Sequence, residues 1–198
     1  MKRLIAPLAL LLPLLAACDS KPTAPAETPV AAAPAAAPPE ASTEAAFQHD
    51  PNLDAFGYYL TQTPYRFGNW ELKSVNMGSP SDFASWEEGK RPANYGPFFL
   101  EFEDVTSPTA ENELGQTYHT VSFRLMPDRY KVGAGQVTFH GTDPRIGEVT
   151  FSGGFDLAAL KAVKAAGPGV AATTVLTGGL RVGAERLRNI SFFYFAGD

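Results

Sequence analysis

The chain has 198 residues, a formal net charge of −5, 14 phenylalanines and a single cysteine. One cysteine excludes an internal disulfide, so the fold must rest on apolar burial, for which this length and aromatic content are adequate. The acidic balance argues against nucleic acid, and against an anionic bilayer, as partners through bulk electrostatics.

The first segment is an export signal. Lys2 and Arg3 precede an apolar run from Leu4 to Leu15, and small residues follow in Leu15-Ala16-Ala17-Cys18. The run is shorter than the roughly 20 residues needed to span a bilayer. With cysteine at the cleavage point, residues 1–18 resemble the signal peptide and lipobox of bacterial lipoproteins. That resemblance implies removal of residues 1–17, a diacylglycerol on the Cys18 thiol and an acylated (palmitate-type) new amino terminus. Two or three acyl chains, at about 0.8 kcal/mol per buried methylene, hold a protein stably to a membrane. The implied location is the cell envelope, facing the periplasm. Asp19 favours the inner membrane, as in lipoproteins of the enterobacterial kind, with the outer membrane as the alternative. A plain secretory signal with a stray thiol is the competing reading.

Residues 18–46 then read as a lipidated cysteine and a disordered tether. Pro22, Pro25, Pro29, Pro34, Pro38 and Pro39 remove backbone donors, and Val30 is the only sizeable apolar residue. Such a segment extends by about 3.1 Å per residue. A helix over Ala31 to Ala37 is interrupted by Pro34. Without Lys2 and Arg3, the 16 basic residues fall to 14 against 21 acidic ones, a formal charge of −7.

Residues 47–198 have the size of one domain. Trp70, Leu72 and Val75 mark a strand whose alternation slips at Lys73; Phe98 to Val105 marks another. His119, Val121, Phe123 and Leu125 alternate with polar residues, which predicts one strand with a buried and a wet face. Val137 and Phe139 pair with Val149 and Phe151 across a turn at Thr142-Asp143-Pro144-Arg145. Asp156 caps a helix over 157–166, in which Leu157, Leu160 and Val163 share a stripe, and Gly167-Pro168 ends it. Strands 173–182 and 190–195 follow, the first bent at Gly178-Gly179. Ile190, Phe192 and Tyr194 point to one face of the last strand and Phe193 and Phe195 to the other, which predicts cover on both sides. The expected fold is α+β, mainly β: a curved antiparallel sheet or partial barrel of about seven strands with one helix.

Catalytic signals are sparse. His49, His119 and His140 are widely separated, and neither a zinc motif nor any cofactor motif is present. Gly133-Ala134-Gly135 lacks the third glycine and the following helix of a dinucleotide fingerprint. Asp82, Glu87 and Glu88, and Glu111 with Glu113, lack the ligand spacing of a calcium loop. His140 with Asp143 and a serine such as Ser152 is the weak catalytic candidate, with Glu148 across the turn able to orient the imidazole. The binding candidates are aromatic: Tyr58 and Tyr59, which cannot both face inward on an extended segment, and Trp86 and Tyr95 in an expected long loop from Gly78 to Gly96. Two functions compete. One is a membrane-anchored interaction module whose partner is an envelope protein or cell-wall glycan, with an inhibitor or immunity protein as one version. The other is a small envelope hydrolase using His140 and Asp143.

Overall fold

The computed structural model describes residues 45–197. The signal segment, Cys18 and most of the tether therefore lie outside the described residues. Among the described residues there are twelve strands: β1 (Phe47–His49), β2 (Gly57–Phe67), β3 (Trp70–Met77), β4 (Phe98–Asp104), β5 (Thr109–Glu111), β6 (Thr117–His119), β7 (Ser122–Leu125), β8 (Arg129–Val132), β9 (Val137–Asp143), β10 (Gly147–Phe155), β11 (Thr174–Val182) and β12 (Glu185–Phe195). Two helices accompany them, α1 (Pro80–Glu87) and α2 (Leu157–Ala166). Ten strands form one sheet in the order β1-β8-β9-β10-β11-β12-β2-β3-β4-β7, and β5 and β6 form a separate ribbon. All neighbours in the large sheet are antiparallel except β1 and β8.

The sheet curls into a half-barrel around one apolar core. Tyr59, Val75, Phe98, Leu100, Phe102, Phe151, Leu176 and Phe192 project from its concave side and are fully buried. Leu160 and Val163 of α2 and Phe83 and Trp86 of α1 add to this core. The curl needs close backbone approach. Gly153 and Gly178 face each other in register, and a Cβ on either would lie within 2.8 Å of the Phe151 ring. Side chains there would push β10 and β11 apart, so the glycines set the bend.

Both helices are started by side-chain caps. Ser79 and Asp82 form a reciprocal capping box with Pro80 at the first position of α1. The Asp156 carboxylate accepts from the amide of Ala159, and Gly167 ends α2 at φ 76°. At the N-terminal edge, β1 is held by more than its ladder. His49 Nδ1 lies 3.0 Å from Glu87, and the Tyr130 hydroxyl donates to the same carboxylate at 3.1 Å. The His49 ring also stacks on Phe83 at 5.0 Å.

The α+β, mainly β class with a strongly curved sheet is what the structure has; four expectations need correction. The sheet has ten strands rather than about seven, because β1 and β8 are too short to show alternation and β2 carries Thr61, Gln62, Thr63 and Pro64 within it. A second helix, α1, occupies part of the stretch read as a loop; at eight residues it has only Phe83 and Trp86 to bury, too few to show a helical period. His119 to Leu125 is not one strand: the chain leaves the ladder at Thr120 and Val121, so that His119 belongs to β6 and Phe123 to β7. The last strand is buried on its inner side only, leaving Phe195 exposed on the other.

Candidate functional site

The exposed outer face of β12, β2, β3 and β4 is unusually aromatic. Register puts Phe195 beside Tyr58, Phe193 beside Leu60, Tyr58 beside Asn76, and Asn76 beside Phe99; residues directly opposite on neighbouring strands share a face. Tyr95, from the segment after α1, leans over Phe99 with ring centroids 6.2 Å apart. Tyr58 and Phe195 are 6.3 Å apart. Phe56 completes the patch at the start of β2. Together these rings border two adjoining depressions of about 110 and 550 Å³ that share Phe56 and Tyr58. Tyr58 and Tyr95 are 41% and 38% exposed, so both side chains reach the surface of the groove.

The floor between the rings is polar. Asn76 is only 3% exposed. Its Nδ2 donates to Ser74 Oγ at 2.8 Å, and Ser74 Oγ in turn lies 3.5 Å from Glu101 Oε2. The Asn76 Oδ1 has no partner among the described residues. Turning the amide over would only exchange the orphaned atom, so one polar group of this side chain has no partner within the described protein. A buried orphan of this kind costs about 1–3 kcal/mol. Arg124 lies over Phe99 at 5.0 Å and borders the smaller depression. Burial, followed by the nearby Asp82 carboxylate, pushes the Tyr95 hydroxyl above the ordinary tyrosine range, which keeps it a neutral donor at the rim.

Beyond the groove, the outer face of β3 and β4 holds an ion network. Lys73 bridges Glu71 at 3.2 Å and Glu103 at 2.9 Å, and Arg66 reaches Glu71 at 2.9 Å. Partial burial works against ionisation of both Glu71 and Lys73, yet the hydrogen-bonded partners win: the Glu71 carboxyl is held below its usual range and the Lys73 ammonium above its own. Glu103 also accepts from the backbone amide of His119.

The candidates named from the sequence divide clearly. Tyr58 and Tyr95 come together across the groove. Tyr59 is the inward partner in the Tyr58-Tyr59 pair, its hydroxyl donating to the carbonyl of Ala55 at 2.6 Å, and it offers no binding surface. Trp86 is 6% exposed, set edge-on to Phe47 at 6.1 Å, because it lies on the buried side of α1 and not in a loop. His140 and Ser152 share the outer face of the other half of the sheet, but Asp143 points to the concave side and is bound by Arg145 at 2.6 Å. His140 instead sits between Glu148 at 3.1 Å and Asp128 at 3.3 Å. Ser152 is in register with Thr138, one outward position beyond the Thr150 that faces His140, a diagonal of about 7 Å. The three do not assemble. Cys18 lies outside the described residues.

Sequence reasoning missed Asn76, Ser74, Phe99 and Arg124. The available signal was the pair of polar residues Ser74 and Asn76 alternating with Val75 and Met77, which places them on one face. Among the described residues no cluster of histidine and carboxylate groups could hold a metal ion, and no helix is long and apolar enough to cross a membrane. No family model, curated protein or solved structure matches the chain.

Proposed function

We propose that this is a lipid-anchored envelope protein whose β domain works as a binding module, with the Tyr58–Tyr95 groove as its contact surface. The observation that carries the reading is the orphaned amide of Asn76, buried between exposed rings. A ligand with a flat apolar face and polar edges suits it: one face stacks on Tyr58 or Tyr95 while an edge N–H or O–H donates to Asn76 Oδ1. Sugar rings of the cell wall have this character, as do exposed loops of an envelope protein. The inhibitor or immunity version belongs here too, since an acidic module can be steered to a basic, sugar-binding cleft. Lipid on Cys18 and the tether to residue 46 would hold the domain at the membrane, facing the periplasm, with Asp19 favouring the inner membrane. No cofactor and no nucleic acid enter this reading.

The test is retention of the protein, purified from membranes in detergent, on insoluble cell-wall fragments and on immobilised envelope extract. Tyr58→Ala together with Tyr95→Ala should lower retention about tenfold or more, given roughly 1 kcal/mol per stacked ring. Equal retention of the wild type and this variant on every material would overturn the groove assignment.

A further inference from the structure

A second outer-face feature lies across the other half of the sheet. Register lines up Arg129 of β8, His140 of β9, Thr150 of β10, Arg181 of β11 and Arg186 of β12 in one row over five neighbouring strands. Lys131, Thr138, Ser152 and Gly179 form the next row, and Arg188 stands beside it. Arginine stands at both ends of the first row and lysine at one end of the second, and the short Thr138, Thr150 and Ser152 side chains lie between them, which produces a trough. Its two parts have volumes of about 410 and 250 Å³ and meet at Thr150. With strands about 4.8 Å apart, the arginines at the two ends of the first row stand about 19 Å apart at the backbone.

The carboxylates of this face are confined to one end. Glu148 pairs with Arg181 at 2.8 Å and with His140, and Asp128 adjoins His140. The walls are Arg186 and Arg188 on one side and Arg129 on the other, and among the described residues no carboxylate lines either part of the trough. Glu71, Glu101, Glu103 and Asp104 lie instead on β3 and β4, and Glu111 on the separate ribbon. Net charge thus misdescribes this face, which is locally basic in an acidic chain. The start of the described chain adds a second argument: Ala45, Ala46 and Gln48 line the trough, so the described chain begins at this face.

We propose that the trough is a docking face for an anionic membrane surface, in which lipid phosphates sit between the arginine walls and accept hydrogen bonds from the Thr138, Thr150 and Ser152 hydroxyls. The inference is independent of the aromatic groove and requires no acylation.

Co-sedimentation with vesicles tests it, using the mature chain from residue 18 onward carrying Cys18→Ser, so that neither an acyl group nor the apolar signal segment can hold it. Vesicles of phosphatidylcholine alone are compared with vesicles that also contain phosphatidylglycerol. Each arginine at an anionic surface multiplies partition about fivefold at moderate salt. Reversing Arg129, Arg186 and Arg188 to Glu should lower binding to phosphatidylglycerol vesicles at least tenfold and leave binding to phosphatidylcholine unchanged. The milder Arg→Gln set should fall between, which guards against a folding defect in the reversed protein. An unchanged partition in both sets overturns the proposal. So does an equal loss when Lys90 and Lys161, elsewhere on the surface, are reversed, because bulk charge would then be the cause. Binding of soluble polyphosphate without binding of phosphatidylglycerol vesicles overturns the membrane as occupant. Retention on cell-wall material by the arginine variants reads the aromatic groove separately.

Discussion

Phe98 and Phe139 meet with ring centroids 5.0 Å apart, although five strands lie between β4 and β9 in the sheet. Only a sheet rolled back on itself can bring these rings together, and the contact joins its two ends. Phe98→Ala should therefore destabilise the domain by about 3–5 kcal/mol, more than Phe195→Ala on the exposed face, which should cost under about 1 kcal/mol. Urea unfolding followed by tryptophan fluorescence measures both. Comparable losses would mean that the two ends are not coupled.

Asn76 has the opposite expectation. Replacing it by Ala removes a buried orphan along with one hydrogen bond, so stability should change by less than about 1 kcal/mol. Retention on the material that binds the Tyr58–Tyr95 groove should still fall about tenfold. Thermal melting beside the retention assay separates the two; a large drop in melting temperature would make Asn76 structural.

Acid should weaken the domain. The Asp143 carboxyl is held low chiefly by its hydrogen bond to Arg145, Asp54 chiefly by its hydrogen bond to Lys164, and Glu71, despite some burial, by Arg66 and Lys73. Groups depressed in the folded state contribute stability above their unfolded values of about 4, and lose it as pH falls through the folded ones. Stability should be flat from about pH 7 to 5 and decline below about pH 4. Urea midpoints across that range check it, and Glu71→Gln should flatten part of the slope.

Gly57 begins β2 at φ 140°, and a Cβ there would come 2.3 Å from the Tyr194 ring. Gly57→Ala should cost about 2 kcal/mol or more, through backbone strain and displacement of the ring. Because Tyr58 follows directly, the same substitution should also disturb the groove. A variant with unchanged melting temperature would show that the ring yields freely.

The sequence revealed most where one physical signal acted alone. The Asp156 cap, the Leu160 and Val163 stripe and the Gly167-Pro168 stop locate α2 to the residue, and Val149 and Phe151 locate β10 in its hairpin with β9. Residues whose role depends on distant partners were not legible. Trp86 reads as exposed until α1 turns it onto Phe47, and Asn76 reads as an ordinary polar strand residue until Tyr58 and Phe99 flank it from strands on either side. His140 and Asp143 are three residues apart, and the pleat sends them to opposite faces because β9 runs on to Asp143, where the sequence signals a turn.

The N-terminal edge has a mechanical consequence. Any tension arriving from the preceding chain reaches the domain through β1, three residues long and paired in parallel with β8 alone. The His49–Glu87–Tyr130 latch shares that load. Under pulling, β1 should detach as a weak link before the wide curled sheet is strained, so the aromatic groove, which no residue of β1 borders, would outlast the first yield and the chain would lengthen without losing that contact.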